Sequence, residues 1–149
     1  MTLGLVPAPV RPGERVVAGG CTLVRLDSFS DHRGSLSVAQ ASLGLPFVAQ
    51  RSFIVYDVPP GGARGGHAHR LQDELLVAGC GSVTVDVDDG HEHATFLLDH
   101  PSLALHIPPK VWAAQRDFTP GACLLVLASG AYDASDHIDG PRGGAATAP

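Results

Sequence analysis

His67 and His69 stand one residue apart in RGGHAHRLQDELLVAGCG, and Glu74 follows five positions after the second. Imidazole titrates near pH 6.5 and so moves protons at neutral pH; with a carboxylate it also ligates divalent metals. On an extended strand residues i and i+2 project to one face about 7 Å apart, so the two rings would look together into whatever that face encloses. The glycine-rich approach, with Arg64 just before the pair, favours a lined cavity. His91 and His93 flank Glu92 directly after a tight turn and are read as solvent-facing turn residues without function.

A shared face needs strands to hold it, and the rest of the chain reads as strands. RSFIVYDVP predicts one closed by Pro59-Pro60, and GSVTVDVDDGHEHATFLLD predicts a hairpin about Asp88-Asp89-Gly90. In that hairpin Val83, Val85 and Val87 alternate with Thr84 and Asp86, giving a dry face and a wet one. LALHIPP and ACLLVLAS are apolar almost throughout, as strands buried between sheets are. No stretch of useful length has helical periodicity. About seven or more short strands, punctuated by Gly, Pro and Asp, predict an all-β sandwich or small barrel. The Gly/Pro/Ala-rich ends, 1–20 and 139–149, are expected as loose tails around one domain at 21–138. Arg51 and Tyr56, on the strand leading to the histidines, would face opposite ways.

The net charge of −5, with Lys110 the only lysine among ten basic residues, supplies no basic stripe for a polyphosphate backbone, so nucleic acid is not expected as a partner. No apolar run approaches the roughly 20 residues that span a bilayer, and MTLGLVPAPVRPGER lacks the order of a secretory signal. A soluble, cytoplasmic protein with no membrane partner is expected. Cys21, Cys80 and Cys123 are odd in number, far apart and outside any CxxC pair. Cys80 and Cys123 fall in apolar runs, so all three are expected as packed, unreactive thiols.

From Gly61 onward the spacing reads G-x5-H-x-H-x4-E-x6-G, ending on Gly81. This resembles the first cupin motif, which implies a double-stranded β-helix, or jelly roll, whose two histidines and glutamate bind a divalent metal in many members. The second cupin motif would deliver a further histidine after IPP; in HIPPKVWAAQRDF the residue after Trp112 is Ala113. A metal reading therefore rests on His67, His69 and Glu74 alone, holding Fe, Mn, Ni or Zn with open coordination positions.

A closer resemblance runs from about Leu23 to Ile138, through DHRGSLSV, LPFVAQRSFIVYDVPPG, RGGHAH, GSVTVDVDDG, LHIPPKVW and LLVLASGAYD in order. Together these words resemble the small cupins that are sugar-nucleotide 3,4-ketoisomerases acting on dTDP-4-keto-6-deoxyhexoses. The resemblance implies a homodimeric isomerase that uses no cofactor and moves a ketone between C4 and C3 through an enediolate. By its HAH motif His69 would be the principal base and shuttle, with His67 handling the hydroxyl and carbonyl oxygens. Arg64 would balance the oxyanion or the diphosphate. Arg33, in the D-x-RGS word, would reach the nucleotide if it is more than a turn residue; Trp112 would stack on the sugar or base, or close the barrel mouth.

Four positions depart from that pattern. Glu74 stands where the family has glutamine, Ala113 replaces a polar residue, and Phe53 and Ile54 leave Tyr56 as the nearby phenol. The ending DYIR appears as DHID, which puts Asp139 in the place of an arginine expected to meet the diphosphate. Three readings follow: the isomerase with relocated contacts, a metal-dependent cupin acting on another small molecule, or a ligand-binding cupin without catalysis. In either catalytic reading, Glu74 beside two imidazoles would raise the pKa of both.

Overall fold

Alternation of Val83, Val85 and Val87 with polar neighbours dictates an extended segment with one apolar face, and the computed structural model bears this out across the chain. It describes residues 14–17, 20–41 and 45–140. Thirteen strands among them are β1 (Glu14–Val17), β2 (Cys21–Arg25), β3 (Asp27–Asp31), β4 (Gly34–Val38), β5 (Arg51–Tyr56), β6 (Ala63–His69), β7 (Glu74–Cys80), β8 (Val83–Asp88), β9 (His93–Leu98), β10 (Leu103–Ile107), β11 (Trp112–Arg116), β12 (Cys123–Ala128) and β13 (His137–Asp139). They build a six-stranded sheet, β1-β2-β10-β7-β12-β5, facing a five-stranded sheet, β13-β6-β11-β8-β9. A separate two-stranded hairpin, β3-β4, completes the set. Every pairing is antiparallel, and within the two large sheets most neighbours are remote in sequence, which is the expected all-β jelly roll.

Side-chain alternation decides which residues fill the space between the sheets. From β7 and β12, Leu76, Ala78, Leu124 and Val126 point inward and meet Val83, Val85, Val87 and Phe96 of the facing sheet. The other face of β7 is dry as well, because Leu75 and Val77 pack with Val24, Leu26 and Ala104 beneath Leu45 and Phe47. Hence the continuous apolar run in the sequence: a central strand is covered on both sides. Each wholly buried leucine, such as Leu76, Leu105 or Leu124, contributes about 1.5–3 kcal/mol through burial.

Three expectations need correction. Strand β1 lies inside the stretch read as an N-terminal tail and pairs with β2, which follows it closely across Gly19-Gly20; the Gly/Pro/Ala-rich composition of the stretch masks so short a strand. Residues 141–149 of the expected C-terminal tail lie outside the described residues. Cys21 is buried and burial pushes its thiol up to about 12, with Asp89 adding to the effect. Cys80 is exposed, however, and Cys123 only half-buried, because β7 and β12 run past the core there and their register shifts between Cys123 and Leu124. The polar face of β8 is also drier than alternation implies. Thr84 is buried, flanked by β9 and β11 on either side.

Candidate active site

The histidine pair owes its direction to an irregularity in β6. Gly65 and Gly66 both adopt positive φ, +76° and +83°, and the register against β11 steps from Ala113↔His67 to Ala114↔Gly65. One extra residue is thereby accommodated, a β-bulge. In a regular strand Arg64 and His67 would face opposite ways; with the bulge, Arg64, His67 and His69 line the same cavity of about 110 Å³. A Cβ at Gly65 would stand 2.9 Å from the Ala113 carbonyl oxygen and 2.8 Å from Gln115 Oε1. The glycine is required by close approach as well as by backbone conformation.

Inside the cavity the two rings meet edge to face, centroids 5.1 Å apart. His69 is buried and held at both nitrogens. Its Nδ1 lies 3.0 Å from Asp136 Oδ2 and its Nε2 lies 2.7 Å from Glu74 Oε1. The second contact is an ion pair at close range, although Nε2 has no aligned hydrogen-bond partner among the described residues. Asp136 is itself fixed by accepting the Leu71 N–H at 2.9 Å. It ends a single 3-10 turn, Ala134–Asp136, capped by Asp133.

These surroundings separate the two imidazoles electrically. For His69, burial works against the cation, but the close contact with Glu74 and then that with Asp136 outweigh it and raise the pKa above 6.5. For His67 burial lowers the pKa, and the neighbouring rings of His137 and His69 lower it further, against a smaller pull from Glu74 and the Gly65 carbonyl. Glu74 thus pulls both pKa values upward, as expected, but for His67 burial and the two rings outweigh that pull. The carboxylate touches one ring only, and the other sees mostly low dielectric and rival cations.

Two buried or half-buried groups were missed by reading motifs. Asp136 and His137 lie in SDHID, a segment in which only Asp139 drew notice. Strand β13 pairs with β6 so that His137 is opposite His69 and Asp139 opposite His67. The His137 ring stacks on His67 with centroids 4.2 Å apart and planes 16° from parallel. Gln115, buried on β11, also lines the cavity. The available signal was alternation: Gln115 lies two residues after Ala113, the residue opposite His67.

Other expected site residues fall elsewhere. Trp112 is buried on the face of β11 opposite to Val111 and Ala113, and it is those two that line the cavity. Its stacking role on a sugar is not supported by that placement. Arg33 sits at the tip of the β3-β4 hairpin, exposed and paired with Asp31; it does not line the cavity. Tyr56 is exposed on β5 and borders an outer groove with Arg64. Phe53 and Val55 turn inward to the cavity instead, as alternation along β5 requires. Arg51, on that same face of β5, stacks over Phe53 and Tyr132.

Donor geometry bears on a metal. Glu74 and His69 are in direct contact at 2.7 Å, and both His69 nitrogens face carboxylates, so His67, His69 and Glu74 do not present three free lone pairs to one point. The group whose donors do lie within 4.8 Å of one another, among the described residues, is His67, His69 and His137. There the near-parallel stack keeps the in-plane lone pairs of His67 and His137 from converging on one ion. As arranged, neither set fits a resident metal.

What the arrangement does offer is an imidazole biased toward its neutral form beside one biased toward its cation, both lining one cavity, the equipment for a proton to leave one atom and return to its neighbour. The chain is similar in sequence and shape to known proteins. A curated TDP-4-oxo-6-deoxy-alpha-D-glucose-3,4-oxoisomerase from Aneurinibacillus thermoaerophilus is 34% identical over 116 residues, 78% of this chain and 84% of that protein. The crystal structure of QdtA, a sugar 3,4-ketoisomerase from Thermoanaerobacterium thermosaccharolyticum, in complex with TDP, superposes with TM-score 0.79 at 32% identity, covering 82% of this chain and 89% of that one. WlaRB, a TDP-quinovose 3,4-ketoisomerase from Campylobacter jejuni, superposes with TM-score 0.77 at 33% identity, covering 80% and 92%. Residues 19–142 match the family model described as FdtA: WxcM-like, C-terminal. With the jelly roll, the histidine cavity and this match over most of its length, the chain belongs to the FdtA family.

Proposed function

We propose that this protein is a sugar-nucleotide 3,4-ketoisomerase acting on a dTDP-4-keto-6-deoxyhexose. The observation that carries the reading is the pair of adjacent imidazoles whose environments drive their protonation apart. Relatives named as TDP-sugar 3,4-ketoisomerases support it, as does a QdtA variant crystallised with TDP-4-keto-6-deoxyglucose. His67, kept neutral, removes the proton from C3; His69, kept cationic by Glu74 and Asp136, protonates the C4 carbonyl oxygen as the C3–C4 enediol forms. The O3 proton then passes to His69 and the proton on His67 is delivered to C4, leaving a ketone at C3 and both rings as they began. The resemblance alone puts the carbon proton on His69; the environments of the rings favour His67 as the carbon base and His69 as the acid. Arg64, at the same cavity, is the group suited to the diphosphate or the developing oxyanion.

No step calls for a cofactor. Protein stripped of metal by a chelator is expected to retain its full rate of solvent-deuterium incorporation into dTDP-4-keto-6-deoxyglucose, measured by NMR of the sugar carbons. Absence of exchange with any dTDP-4-keto-6-deoxyhexose would overturn the reading, and exchange that appears only after metal is restored would overturn its metal-free form.

The protein acts as a homodimer in this proposal. Among the described residues the β3-β4 hairpin stands apart from both sheets and its paired Phe29 and Leu36 are 61% and 56% exposed, while β5 is an edge strand of its sheet with Ile54 58% and Tyr56 66% exposed. A two-stranded hairpin is marginal alone and an open apolar edge invites pairing. Sedimentation analysis is expected to give a dimer, and Phe29→Asp with Leu36→Asp a monomer; a wild-type monomer at micromolar concentration would refute the assembly. No helix among the described residues is long and apolar enough to cross a membrane. The three unpaired cysteines suit a reducing compartment, and we place the enzyme in the cytoplasm.

A further inference from the structure

We propose that His137 is a positioning residue for the reaction, which holds the ring of His67 in plane and keeps that ring in its neutral, proton-accepting form. The inference rests on the isomerase reading for its catalytic meaning, but its physical content is independent of it. His137 arrives from the last strand of the domain, paired through the backbone with His69. Its ring covers one face of His67 at 4.2 Å and meets His69 edge-on at 5.1 Å. It does not line the cavity, so it acts through His67 and not on substrate. Tyr132 in turn backs it edge-on at 5.9 Å.

Stacking restrains rotation of the imidazole about its side-chain bonds, so the nitrogen that must reach C3 is presented in a fixed direction. Charge supplies the second effect. The donors of the three rings lie within 4.8 Å of one another, and His69 is the ring that two carboxylates hold as a cation. A second positive charge on His67 would then face His69 from its own strand and a titratable ring from β13. The remaining ionisable groups around His67 are Glu74 from β7, Asp139 in register on β13 and Arg64 at the same cavity, while the residue opposite on β11 is the uncharged Ala113. Only Glu74 contributes resolvably in favour of the cation among the charged side chains, and it does so less than burial and the two rings oppose it.

His137→Tyr keeps an aromatic ring over His67 and removes the titratable charge; His137→Ala removes both. The experiment follows His67 by NMR titration of ring-labelled protein and, in parallel, the pH dependence of kcat/KM for the ketosugar nucleotide. His137→Tyr is expected to move the His67 titration and the acid limb of the profile together to higher pH. Activity on the acid side, relative to the plateau, would then fall by roughly twofold or more, with the plateau kcat nearly kept. His137→Ala is expected to show the same shift together with a lower plateau, while far-ultraviolet circular dichroism and melting show both variants folded. An unmoved His67 titration in both folded variants would overturn the proposal. The NMR readout needs no turnover, so a failure of the isomerase reading would appear as absent activity with the titration shift intact.

Discussion

His67→Asn and His69→Asn are each expected to lower kcat by about 10²–10⁴-fold, the range over which a positioned acid or base contributes. KM should change little, because neither ring is the anion contact. Asparagine preserves a polar side chain of similar width, so circular dichroism and melting should report a folded protein and assign the loss to proton transfer. Deuterium exchange separates the two variants further. If His67 takes the carbon proton, His67→Asn abolishes exchange at C3, whereas His69→Asn slows it by leaving the carbonyl oxygen without its donor. Equal wild-type rates in either variant would remove that ring from the mechanism.

The wild-type profile has a definite sign. The pKa of His67 lies below 6.5 and that of His69 above it. Activity should therefore rise as His67 deprotonates on the acid side, hold across pH 6.5, and fall as His69 loses its proton on the alkaline side.

Asp136→Ala is expected to produce the second large effect, on activity and stability together. It removes one of the two carboxylates that hold His69 as a cation and orient its ring, and kcat should drop by roughly 10²-fold with the alkaline limb moving to lower pH. It also strands the Leu71 N–H, at a cost of about 1–3 kcal/mol for an unsatisfied donor. The raised pKa of His69 means that its ion-pair contribution to folding is present below 6.5, its unfolded value, and is lost as pH rises through the higher folded value. The melting deficit of Asp136→Ala should accordingly be larger at pH 6 than on the alkaline side, where only the Leu71 part remains. Asp136→Asn divides the effects, since its amide oxygen can still accept from Leu71 while the charge is gone. Stability should largely return on the alkaline side but not at pH 6, where the ion pair is still missing, and activity should not return. A full recovery of activity in Asp136→Asn would show that the charge is not what His69 needs.

The site residues differ in how visible they were. His67, His69 and Glu74 lie within eight consecutive positions, so strand geometry alone placed the histidines on one face, and spacing marked the glutamate as their companion. Arg64 needed more. Its parity with His67 is wrong for a regular strand, and only the bulge at Gly65 and Gly66 turns it into the cavity. Trp112 shows the reverse case, where a residue chosen for its chemistry was carried to the other face by the alternation that brought Val111 and Ala113 inward. For Asp136 and His137, remote in sequence from their partners on β6, no local rule applied; they reach the site because β13 pairs with β6 at the far edge of the sheet.

By itself the chain determined the β class, the hairpin about Asp88-Asp89-Gly90, the family resemblance and the two histidines, because each depends on periods and spacings of a few residues. Tertiary structure decided which carboxylate serves which ring, that the pKa values of His67 and His69 shift in opposite directions, and that a third imidazole stands behind them. Those outcomes depend on burial and on distances between strands remote in sequence, where moving a charge a few ångströms reverses the sign of its effect.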